Sequence, residues 1–105
     1  MAYVVVFITC PDMESAEKIA KTLVEKKLAA CVNLVKVAKS IYRWKGKVEE
    51  AEEVLLIAKT KTSLVEQLKK EVKSVHPYQV PEVICTPVIA GLEEYLKWLE
   101  QETLG

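Results

Sequence analysis

The sequence predicts an α+β domain of the ferredoxin-like kind: two β-α-β halves in one antiparallel sheet, with the helices on one face. Three observations predict it. Apolar periodicity switches between strand and helix in the order β-α-β-β-α-β, and a short C-terminal helix follows. The 105 residues suit one core, so residues 1–105 read as a single domain. Right-handed crossovers leave few competing topologies for that order.

Tyr3–Cys10 is a nearly continuous apolar, β-branched run and reads as a central strand buried on both faces. Pro11-Asp12 stops it. Asp12 suits a helix N-cap, with Glu14 in the first turn where the dipole favours an anion. Ala16, Ile19, Ala20, Leu23 and Val24 then mark one face of a helix ending near Lys26–Lys27. Leu28–Trp44 is extended in character. Asn33, Val35, Val37 and Ile41 fall on one parity, and Val32, Leu34, Ala38, Tyr42 and Trp44 on the other. Lys45-Gly46-Lys47 is a turn, and Val48–Thr60 completes a hairpin. Ser63 with Glu66 has the pattern of a capping box, and Leu64, Leu68, Val72 and Val75 mark a second helical stripe. Val83–Ile89 is the fourth strand. Pro87 places it at an edge, where a missing N–H is tolerated. Leu92, Tyr95, Leu96 and Leu99 give the final helix, which carries Trp98.

The hairpin strands are too long for the rest of the domain. At about 3.3 Å per residue they reach roughly 40 Å, against about 25 Å for the first strand. The segment around Ser40–Glu50 therefore overhangs, carrying Ile41, Tyr42 and Trp44. A lone two-stranded ribbon with exposed aromatics is marginal in water. The expectation is a homo-oligomer with strand pairing between subunits.

Composition removes several function classes. Fifteen basic residues balance fifteen acidic ones, which argues against nucleic-acid binding. The aromatics are too scattered for a base-stacking platform. No run is long enough to cross a bilayer and no targeting segment is visible, so a cytoplasmic protein is expected. Cys10, Cys31 and Cys85 are odd in number and lack a C-x-x-C pair, so neither a disulfide framework nor a zinc motif is indicated. There is no Gly-rich phosphate loop and no recognisable Ser-His-Asp set, so no catalytic residue is assigned.

The segment His76-Pro77-Tyr78-Gln79-Val80-Pro81-Glu82 holds the only histidine, inside a turn stiffened by two prolines. His76 is the candidate metal ligand, since neutral imidazole suits copper and zinc; its alternative role is to cap the turn. Lys59 and Lys61 leave the third strand where, with Tyr78 and Glu82, they could line a pocket for a small anion. Cys31 reads as a small hydrophobe, reactive only beside a cation such as Lys59 or His76. Glu49, Glu50, Glu52 and Glu53 alternate between strand faces, which is poor for chelation.

Several motifs together resemble the CutA family of divalent-cation tolerance proteins. They are Leu28-Ala29-Ala30-Cys31-Val32-Asn33, Ser40-Ile41-Tyr42-Arg43-Trp44-Lys45-Gly46-Lys47, Glu53 through Lys59-Thr60, His76-Pro77-Tyr78 with Pro81-Glu82, and Tyr95-Leu96 with Trp98-Leu99. The resemblance covers essentially the whole chain. It implies a homotrimer of ferredoxin-like subunits, a cytoplasmic setting and a link to tolerance of copper and other divalent ions. It also implies a copper site for which His76 matches one ligand, while Val75 and Ile8 stand at the other two positions; Cys10 shares the strand face of Ile8. Cys31, Trp44, Glu53, Lys59, Lys61, Tyr78 and Glu82 are the candidate ligand-binding residues. Two functions follow as expectations: a trimeric copper-binding tolerance protein, or a trimeric regulatory module holding a small anion or partner protein in clefts between subunits.

Overall fold

The computed structural model, which describes residues 2–105 apart from the Val37 side chain, has four strands and three α-helices in the order β-α-β-β-α-β-α. They are β1 (Tyr3–Cys10), α1 (Met13–Glu25), β2 (Cys31–Trp44), β3 (Lys47–Lys61), α2 (Val65–Val75), β4 (Val83–Val88) and α3 (Glu93–Gln101). The strands form one antiparallel sheet in the order β2-β3-β1-β4. Pro87 lies in β4, an edge strand that pairs with β1 alone.

The core lies on one face of the sheet. Val4, Val6, Ile8 and Cys10 of β1 and Val54, Leu56 and Ala58 of β3 point at Ala16, Ile19, Ala20 and Leu23 of α1 and Leu68 and Val72 of α2. Asp12 caps α1, accepting the Ser15 N–H at 2.8 Å. Lys27 turns the chain out of α1 at φ 57°, and Val24 stays 42% exposed.

Three sequence expectations are corrected. The first strand is not buried on both faces: its residues alternate between buried and half-buried, because α1 and α2 cover only one side. Val5, Phe7, Leu55 and Ile57 are left half-buried on the other face. The Ser63–Glu66 capping box does not form. The chain leaves β3 through a 3₁₀ turn, Thr62–Leu64, so the cap position of α2 moves to Leu64, and Glu66 pairs with Lys69 at 2.9 Å instead.

The third correction concerns β2. Val35 pairs with Leu55 and Ala38 with Glu53, so β2 spends three steps where β3 spends two. That is a one-residue bulge. Beyond it the alternation of β2 is inverted. Tyr42 and Trp44 do not share the face of Val32 and Leu34; they share that of Glu53 and Leu55.

The ribbon is as long as expected. β1 stops opposite Val54, so residues 47–53 of β3 pair with β2 alone. Lys45 and Gly46 both take positive φ, 49° and 80°, as a two-residue hairpin loop requires. Residues 41–50 are all exposed, and the longest dimension of the chain is 44 Å. No helix among the described residues is long and apolar enough to cross a membrane.

Candidate functional site

The loop after α2 folds back over the end of β1. Pro77 prevents the helix from continuing, and Lys73 of α2 donates from Nζ to the Gln79 carbonyl, tying the loop down. His76 is buried at this point. Its Nε2 lies 2.7 Å from the Thr9 carbonyl oxygen and 3.6 Å from Cys10 Sγ. Its Nδ1 accepts the Tyr78 N–H at 3.0 Å. A backbone carbonyl accepts only, so Nε2 carries the proton and donates to Thr9, and the ring is neutral with both nitrogens engaged. His76 thus performs the turn-fixing role. The Cys10 thiol beside it is pushed up to about 11 by burial, with Asp12 and Glu53 adding to the effect.

His76 orients Tyr78, whose ring stands 4.9 Å from the imidazole. The Tyr78 hydroxyl donates to Glu53 Oε2 at 2.6 Å. Burial and then the Glu53 carboxylate hold the phenol well above its ordinary value, so it stays a donor. Glu53 is 7% exposed although it stands at the ribbon base. Thr9, Tyr42, Trp44, Glu53, Tyr78 and Glu82 enclose a cleft of about 570 Å³.

Trp44, Glu53, Tyr78 and Glu82 therefore come together as candidate site residues, with His76 behind them. Thr9 was not legible in the sequence, because it acts partly through a backbone carbonyl. Tyr42 joins the cleft through the bulge.

Cys31, Lys59 and Lys61 lie elsewhere. Lys59 and Lys61 are six and eight residues beyond Glu53 on β3, about 20 and 26 Å away at the strand rise. They do not share a pocket with Tyr78 and Glu82. Lys59 pairs in register with Cys31, and Tyr95 of α3 adjoins that cysteine. Lys61 is 1% exposed and meets Glu100 of α3 at 3.0 Å. Glu100 also accepts the Tyr3 hydroxyl at 3.2 Å. This end of the sheet is where α3 is fastened.

The Lys61 hydrogen bond holds the Glu100 carboxyl below its usual range. A depressed carboxyl contributes stability above its unfolded value and loses it as pH falls through the folded one. Glu100→Gln should therefore melt below wild type at neutral pH, with the gap closing below about pH 4, near the ordinary Glu value. A gap unchanged at pH 3 would show that the ion pair contributes nothing.

Among the described residues no group of three or more His, Cys, Asp or Glu side chains is arranged to hold a metal ion. Cys10 and His76 are adjacent soft donors, but the thiol is protonated and the imidazole lone pair is taken by Tyr78. Among the described residues this pair is not a preformed metal centre.

Comparison with known proteins supplies the family. The model of the CutA1 divalent ion tolerance protein matches residues 4–102. The divalent-cation tolerance protein CutA of Thermus thermophilus is 52% identical over 99 residues, covering 94% of this chain and 96% of its own. Protein CutA of Mus musculus is 55% identical over 97 residues, or 92% of this chain. This chain spans about half the length of that mouse relative, 55%. Among solved structures, the T. thermophilus cation tolerance protein superposes with TM-score 0.94 at 51% identity, over 96% of this chain and 98% of the other. CutA1 of Oryza sativa superposes with TM-score 0.97 at 43% identity, over 99% and 95% of the two chains. These relatives are named for ion tolerance or simply as CutA, not for an enzymatic activity. The chain belongs to the CutA1 divalent ion tolerance family.

Proposed function

We propose that this protein serves divalent-cation tolerance as a homotrimer of ferredoxin-like subunits in the cytoplasm, acting by binding rather than catalysis. The cleft at the ribbon base, completed by a neighbouring copy, is its working site. The observation that carries this is the stranded ribbon. Ile41, Tyr42, Trp44 and Val48 lie between 43% and 67% exposed on a two-stranded segment that no third strand extends among the described residues. A second copy that buries this segment also walls the cleft, because Tyr42 and Trp44 belong to both. Sedimentation at micromolar concentration is expected to give a particle of three 11.8 kDa subunits. A stable, folded 11.8 kDa particle would end the proposal.

Copper is the sharper form of this reading. His76 is the nitrogen donor to test, with Cys10 beside it. It can bind copper only by giving up the Thr9 or Tyr78 hydrogen bond, so the affinity should be weak. Copper titration of wild type and His76→Ala is expected to show a loss of about tenfold or more. Equal affinities would remove His76 as a ligand.

A regulatory module holding a small ligand or a partner protein is the second reading. It draws support from the size of the cleft, which falls in the usual range of about 300–1,000 Å³ for small-molecule sites. The anionic ligand first expected for it lacks a basic lining in this cleft, since Lys59 and Lys61 stand at the opposite end of β3.

A further inference from the structure

We draw no further inference here: the strongest candidate, the groove between α2 and the outer edge of β4 lined by Lys69, Lys73, Val80 and Val83, carries nothing, because nothing in the structure shows what covers it and a neighbouring copy seated there would restate the assembly already proposed.

Discussion

Ile57→Lys is expected to turn the trimer proposed above into folded 11.8 kDa single chains. Ile57 pairs with Phe7 at the centre of the face that α1 and α2 leave uncovered. Val5, Phe7, Leu55 and Ile57 are half-buried there, and Val35 is 45% exposed. A contiguous apolar patch of this kind on a small domain marks an interaction surface. In a lone subunit the new ammonium reaches water along its flexible stem, so the fold tolerates it. Between subunits the same charge is buried without a partner, at a cost of several kcal/mol per copy. Sedimentation velocity and circular dichroism read the two parts of the claim. A variant that sediments like wild type would show that this face is not where copies meet.

Leu56→Ala tests the opposite face of the same strand. Leu56 is fully buried, pairs with Ile8 and Leu34, and lies in the cluster shared with α1 and α2. Removing a buried leucine loses transfer free energy and leaves a cavity, so the expected cost is about 3 kcal/mol. The loss should appear as a lower urea midpoint at one fixed protein concentration, because the proposed assembly would also contribute to apparent stability. Oligomer size should not change. A cost below about 0.5 kcal/mol, the scale of a surface substitution, would mean that the core is not where the structure places it.

Adjacent residues thus have opposite roles, and the sequence shows only part of that. Val54-Leu55-Leu56-Ile57-Ala58 is apolar throughout, so its strand character is legible but its two faces look alike. The Asp12 cap was legible because its partner, the Ser15 N–H, is three residues away. The edge position of β4 was legible because Pro87 cannot donate to a neighbouring strand. The capping box was misread because Ser63 and Glu66 are also compatible with a 3₁₀ entry, which the exit from β3 imposed.

The candidate site divides in the same way. The His76-Pro77-Tyr78 turn stands out from local chemistry alone. Its partners do not: Glu53 is 25 residues before Tyr78, and Thr9 is 67 before His76. Within one chain Lys59 and Lys61 do not meet Tyr78 and Glu82, because the length of β3 carries them to the other end of the sheet.

By itself the sequence determined the order of the elements, the excess length of the ribbon, the rigid histidine turn and the family. These depend on periodicity, proline geometry and residues close together in the chain. Only the tertiary structure decided which face Tyr42 and Trp44 present. One extra residue between Val35 and Ala38 inverts the alternation of β2 and brings those rings beside Glu53. Side-chain direction along a strand has a period of two, so a bulge that arises only from pairing with β3 redirects everything beyond it.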